Sequence, residues 1–143
     1  MKVIVAENET QLNDALSVRK DVFVNEQNVP LEEEVDQYDT LDAATHFVVY
    51  SNDKTPIGAG RLRTIDGSGK IERICILKNF RKTGAGKLLM EEILRFAKKR
   101  GLKKAKLNAQ TYAIPFYEKL GFTVTSEEFM DAGIPHKSME RNL

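Results

Sequence analysis

The chain reads as an α/β protein built on a mixed sheet, and two observations predict this. The patterned segments run β-α-β-β-β-α-β-α-β-β, with turn signals between the early strands, which favours hairpins in the first half. In the second half, the strand-like run from Lys70 to Leu77 passes through a glycine-rich loop into an amphipathic helix and then another strand. That is the pattern of a β-α-β crossover between parallel strands.

Each element has its own local reason. Val3 to Val5 reads as a first strand. Asn8 suits a helix N-cap, with Gln11 three residues on as in a capping box. Leu12, Ala15, Leu16, Val22 and Phe23 then keep helical spacing, with Arg19 the polar exception and a break expected near Glu26. Residues 28–45 read as an acidic loop carrying Glu32, Glu33, Glu34, Asp36, Asp39 and Asp42. Such a charge run is ordinarily solvated, though it would also attract a cationic acceptor such as a polyamine or lysine. His46 to Tyr50 and Ile57 to Ile65 are β-rich, separated by the turn signal Asn52-Asp53-Lys54. Gly58 and Gly60 in the second of these suggest a bulge or close packing. Asp66 to Gly69 is a turn.

After the glycine loop, Leu89, Ile93, Phe96 and Ala97 form one helical face. Lys98, Lys99 and Arg100 suit the C-terminal end of the dipole, and Gly101 suits the left-handed position beyond it. Ala105 to Asn108 is a short strand, and Ala113 to Leu120 a short helix stopped by Gly121. Thr123 to Thr125, a loop at Gly133 to His136, and a strand from Ser138 to Arg141 complete the chain. Repeats and low-complexity segments are absent.

Composition narrows the function classes. The 143 residues suit one domain with a sizeable core, at 41% apolar content. Lys plus Arg is 22 against 21 Asp plus Glu, a formal charge of +1, so bulk charge does not point to nucleic acid. A single cysteine permits no internal disulfide and fits a reducing compartment. No apolar run reaches the length of a membrane helix, and the short apolar start does not resemble a signal peptide. Cytoplasmic placement with no membrane partner is the expectation.

The segment Arg81-Lys82-Thr83-Gly84-Ala85-Gly86-Lys87 carries the chemistry. Glycines at a helix mouth let a ligand approach a row of free N–H groups at the positive end of the dipole, which suits a phosphate or pyrophosphate. A P-loop would need a glycine where Arg81 stands and a hydroxyl residue where Leu88 stands, and a dinucleotide fingerprint a third glycine where Leu89 stands.

The remaining pattern, Arg-x-x-Gly-x-Gly after a strand, resembles the acetyl-CoA motif of the GNAT N-acetyltransferase superfamily. The string Phe116-Tyr117-Glu118-Lys119-Leu120-Gly121-Phe122, about 30 residues past Gly86, resembles the second hallmark of that family. The resemblance implies one N-acetyltransferase domain over 1–143, with a mixed central sheet that splays at the acetyl-CoA site and flanking helices. It implies an acyltransferase moving acetyl from acetyl-CoA to a primary amine of a small molecule or peptide, directly within a ternary complex. A CoA-binding module without activity, or a transferase using a longer acyl group, are the alternatives.

By the same resemblance, residues Lys82 to Lys87 with Arg81 hold the pyrophosphate, and the backbone of Ile74, Cys75 and Ile76 holds the pantetheine arm. Tyr117 is the expected general acid for the CoA thiolate, the alternative being a tyrosine packed on the sheet. Asn108 resembles a residue that hydrogen-bonds the cofactor, the alternative being a strand-end turn. Glu72, on the central strand, is the candidate base, with Glu26, His46 and His136 as further options and a water-mediated base, or none, as the alternative. A narrower resemblance joins Val18 to Gln27 and Gly133 to His136 to a small bacterial GNAT branch of unassigned substrate. On it, Glu26, Gln27 and His136 are expected to line the acceptor pocket. Cys75 is expected to be a buried apolar residue rather than a nucleophile. The histidines and the cysteine are too scattered for a metal site. The C-terminal edge strands offer a route to a homodimer.

Overall fold

The computed structural model describes residues 1–143. Eight strands form one sheet in the order β1-β2-β3-β4-β5-β8-β6, with β7 also paired to β8. The strands are β1 (Lys2–Val5), β2 (Thr45–Tyr50), β3 (Pro56–Ile65), β4 (Ser68–Ile76), β5 (Lys104–Gln110), β6 (Thr123–Val124), β7 (Phe129–Asp131) and β8 (Ile134–Asn142). All pairings are antiparallel except β4 with β5, so the sheet is mixed.

Helix α1 (Glu9–Arg19) starts as expected, with the Asn8 side chain accepting from the Gln11 amide at 2.9 Å. Gln11 answers one residue earlier than an ideal box, accepting from the Glu7 amide at 2.8 Å. At Lys20 the helix widens into a π-helical run to Glu26, closed by the Gln27 amide donating to Val22 O. Its inner face places Ala15, Val18 and Val22 on Val48, Ala59 and Cys75.

The other face of the sheet carries α3 (Ala85–Lys99). Ala85, Leu89, Met90, Ile93, Leu94 and Ala97 are buried along it. Full burial of residues the size of Leu89 and Ile93 contributes roughly 1.5–3 kcal/mol each. The helix ends at Gly101, whose φ of 77° is left-handed as its position requires.

Several expectations give way. The turn before β4 is only Asp66-Gly67, with φ of 50° and 79°, so the strand resumes at Ser68. The acidic loop contains a helical turn, α2 (Leu31–Glu34). The expected loop at Gly133 to His136 is instead the start of the nine-residue strand β8, which turns back from β7 through Ala132-Gly133. Pro135 sits near the strand start, where a missing N–H is tolerated. The second short helix is a 3₁₀ turn (Thr111–Ala113) running into α4 (Ile114–Glu118).

Candidate active site

Three features shape the site: a bulge, a fork and a loop. Gly58 and Gly60 on β3 allow the first. A Cβ on Gly60 would come within 2.7 Å of Ile74 Cδ1, and one on Gly58 within 2.7 Å of Ile76 Cδ1. Between Ala59 and Arg61 the β3–β4 register shifts, and Arg73 takes a left-handed φ of 60°. Beyond this point β4 leaves its other neighbour. Only Gly69, Lys70 and Ile71 pair with Ala105, Lys106 and Leu107 on β5. From Glu72 to Ile76 no strand covers β4 on that side, and the two strands fork.

The glycine loop lies just past the end of β4. Lys82 and Gly84 have φ of 63° and 90°, which turns the chain sharply before α3. The backbone N–H groups of residues 82–87 donate to no protein acceptor, and the first helical bond is Leu88 N to Gly84 O. A Cβ on Gly84 would meet nothing within 4 Å, so the loop is open at that residue. A free row of donors at the start of a 15-residue helix fits the pyrophosphate of a CoA thioester.

Arg81, expected to hold the pyrophosphate together with the loop, has its charge paired with a carboxylate. Its guanidinium grips Glu26 with two hydrogen bonds of 2.7 Å each, and its Nε donates to Ile76 O at 3.0 Å. Glu26 and Arg81 therefore meet, joining the end of the π-helical run to the loop. Gln27 makes a second bridge, pairing its side-chain amide with that of Gln110 at 2.9 Å and 3.4 Å.

A cleft of about 480 Å³ occupies the fork. Its walls include Ile74, Cys75, Ile76, Arg81, Asn108, Tyr117, Glu72, Gln27 and His136. Tyr117 is 8% exposed, packed edge-on between Phe116 and Phe122. Burial pushes its phenol pKa well up, so it stays protonated at neutral pH. Its hydroxyl forms no hydrogen bond within the protein.

Asn108 Oδ1 accepts from Ser138 Oγ at 2.9 Å. His136 holds its Nδ1 2.7 Å from Ile134 O and stacks on Phe129. His46 is buried away from the cleft with Nε2 on Thr40 O, and burial lowers its pKa. Burial pushes the Cys75 thiol up to about 12, so it is not a thiolate.

Glu72 is heavily engaged. Its Oε1 receives Arg61 and Arg63 at 2.7 to 3.2 Å, and Oε2 receives Arg63. Burial would raise its carboxyl, but the two guanidinium groups outweigh that and lower it. It belongs to a buried ionic network that reading by spacing missed. Arg19, 1% exposed, pairs with Glu34 and Asp39, and Arg61, also 1% exposed, pairs with Asp36, Asp39 and Glu72. Glu34, Asp36 and Asp39 are thus not a solvated charge run. The signal was Arg19 itself, a charged residue on an apolar helical face.

No helix is long and apolar enough to cross a membrane. A sequence model of the acetyltransferase (GNAT) domain matches residues 6–143. The uncharacterized N-acetyltransferase YjcF of Bacillus subtilis (strain 168) is 51% identical over 143 residues, covering 99% of this chain and 100% of the relative. An acyl-CoA N-acyltransferase from Pseudomonas aeruginosa superposes with a TM-score of 0.87 at 27% identity, over 99% of both chains. ElaA of Escherichia coli superposes at 0.85 with 27% identity, over 98% of this chain and 97% of its own.

Proposed function

The chain belongs to the GNAT family of acetyl-CoA-dependent acetyltransferases, and from that premise we propose that it moves acetyl directly onto a primary amine within a ternary complex. The row of acceptorless amides over residues 82–87, beside the uncovered edge of β4, carries this reading.

In it, the loop amides with Lys82 and Lys87 grip the pyrophosphate, and Ile74, Cys75 and Ile76 present backbone groups to the pantetheine arm. Ile76 O accepts from Arg81 Nε and keeps a second lone pair for the arm. Asn108 supports the arm from the β5 side of the fork. The new C–N bond forms as the thioester C–S bond breaks. Tyr117 returns a proton to the departing sulfur, which its raised pKa favours by keeping the phenol protonated. The nitrogen's proton leaves to solvent through the open cleft.

Two guanidinium groups lower the proton affinity of Glu72, which makes it a weak base, and its geometry favours a structural ion-pair role. Gln27 and His136 line the acceptor side, and Glu26 flanks it through Arg81. Burial of the Cys75 thiol supports direct transfer over an acetyl-cysteine intermediate.

Calorimetric titration with acetyl-CoA, followed by a thiol-release assay over a panel of amines, tests the proposal. Saturable binding and amine-dependent thiol release are expected. Acetyl-CoA that produces no heat, or thiol release that never depends on an amine, would refute it.

A further inference from the structure

The surroundings of His136 fix which ring nitrogen carries its proton. Nδ1 lies 2.7 Å from Ile134 O, and a carbonyl oxygen only accepts, so Nδ1 is the donor. In the neutral ring Nε2 is then an acceptor. No protein group donates to Nε2, and the single buried side-chain polar atom without a partner is Glu34 Oε2, so Nε2 is open to solvent. His136 is 8% exposed and lines the cleft. Phe129 stacks on one face of its ring, and β5 and β7 flank β8 here through Gln110 and Phe129. The Gln110 side chain is engaged with Gln27 rather than with the imidazole. What stays open is the ring edge that bears Nε2.

The fold sets this nitrogen across the fork from the acid. Side chains alternate between faces along a strand. Met139 on β8 is buried in the core under α3, which also holds Tyr117. β8 keeps an unbroken register with β5 from His136 to Asn142, so His136 projects from the opposite face to Met139. On that face Asn108 is its diagonal neighbour on β5, roughly 7–8 Å away between backbones. A thioester lying between β4 and β5 would thus have Tyr117 on one side and His136 on the other. The competing bases on the cleft wall are weaker. Glu72 is held by Arg61 and Arg63, Glu34 is paired with Arg19, and the Cys75 thiol stays protonated. Glu33 and Asp131 are exposed carboxylates, poorer proton acceptors near neutral pH than an imidazole.

We propose that His136 is the general base of acetyl transfer, its Nε2 accepting the proton that the attacking amine must lose. The proposal rests on the acetyl-transfer reading and deepens it. The amine lone pair forms the C–N bond to the thioester carbonyl carbon, and Nε2 takes one N–H proton. The C–S electron pair leaves on sulfur, which Tyr117 protonates. The imidazolium then gives its proton to cleft water and the phenolate takes one back, which resets both groups.

The test uses the intact protein with acetyl-CoA and, as acceptor probes, n-butylamine, 1,4-diaminobutane and a lysine-containing peptide. His136→Asn keeps a donor for Ile134 O and lacks Nε2. On the probe that the wild type acetylates fastest, it should lower kcat about 100-fold while acetyl-CoA Kd by calorimetry stays within about twofold. His136→Ala should lose a similar factor and regain at least about tenfold on addition of free imidazole, which leaves the wild type unchanged. The wild type gives a reading without any variant. Diethyl pyrocarbonate should modify His136 in preference to buried His46, whose Nε2 lies on Thr40 O, and should abolish thiol release until hydroxylamine reverses it. Three results overturn the proposal while leaving acetyl transfer standing: a His136→Asn kcat within about threefold of wild type, a loss in His136→Ala that imidazole does not relieve, or full turnover with His136 modified. Failure of acetyl-CoA to bind in the calorimeter, or of every probe to be acetylated, instead removes the reading beneath it.

Discussion

Replacing Asp39 by alanine removes the anion that two buried guanidinium groups share. Asp39 accepts from Arg19 at 2.6 and 3.0 Å, from Arg61 at 2.9 Å and from the Asp36 amide at 2.9 Å. Arg19 keeps Glu34 and Arg61 keeps Asp36 and Glu72, so each cation is weakened rather than stripped. Breaking a buried pair on one side costs about 3–5 kcal/mol, which for a chain of this length lowers Tm by roughly 10–20 °C. Urea unfolding followed by circular dichroism at pH 7 measures it. A second arm varies pH. Burial alone would raise the Asp39 carboxyl, but its hydrogen bonds and the two guanidinium charges hold it well below the ordinary carboxylate range. A carboxyl depressed in the folded state adds stability above its unfolded pKa of about 4 and loses it as pH falls toward the folded value. The gap between wild type and Asp39→Ala should therefore narrow by about 1 kcal/mol between pH 7 and pH 3. A destabilisation under about 1 kcal/mol at pH 7 would show that the network does not hold α1 to the sheet, and a gap indifferent to pH would show that Asp39 is not its anion.

Tyr117→Phe keeps the ring packing and removes the proton, so kcat should fall by about 100-fold with the acetyl-CoA KM within about twofold; an unchanged kcat assigns the acid elsewhere. Gly84→Val places a β-branched residue at a φ of 90° and a side chain before the free amides. It should lower stability by about 1–2 kcal/mol and weaken acetyl-CoA binding at least tenfold by calorimetry, and normal affinity would move the pyrophosphate site away from this loop. Cys75, with its thiol pushed up to about 12, should resist thiol reagents in the native protein at pH 8, and Cys75→Ala should retain kcat within about threefold. Rapid native labelling, or loss of turnover in that variant, would revive a covalent route.

What could be read from sequence depended on how local its cause was. The cap at Asn8, the apolar face of α3 and the left-handed Gly101 follow from neighbours within a turn or two, and they fall where spacing put them. Gly58 and Gly60 announced close packing through the absence of a side chain, and the neighbours a Cβ would strike are now identified. The partners of Arg19 lie 15 and 20 residues away, and those of Arg61 between 11 and 25, with nothing in their spacing to link them. Gly133-Ile134-Pro135 looks like a loop because Gly and Pro usually mark one. Pairing with Phe129 to Asp131 overrides that local preference and makes it a hairpin. The widened turn from Lys20 likewise leaves no clear mark in residue type.

Three residue pairs are all that stitch β4 to β5, so in its backbone hydrogen bonding the sheet is two panels joined along a short seam. A pantetheine arm bonded to both lips of the gap would act as a cross-brace, lengthening the seam at the moment of binding. Affinity and rigidity would then rise together. Spent coenzyme, which keeps the same arm, would stiffen the panels nearly as well as the loaded form, making its departure a natural brake on turnover.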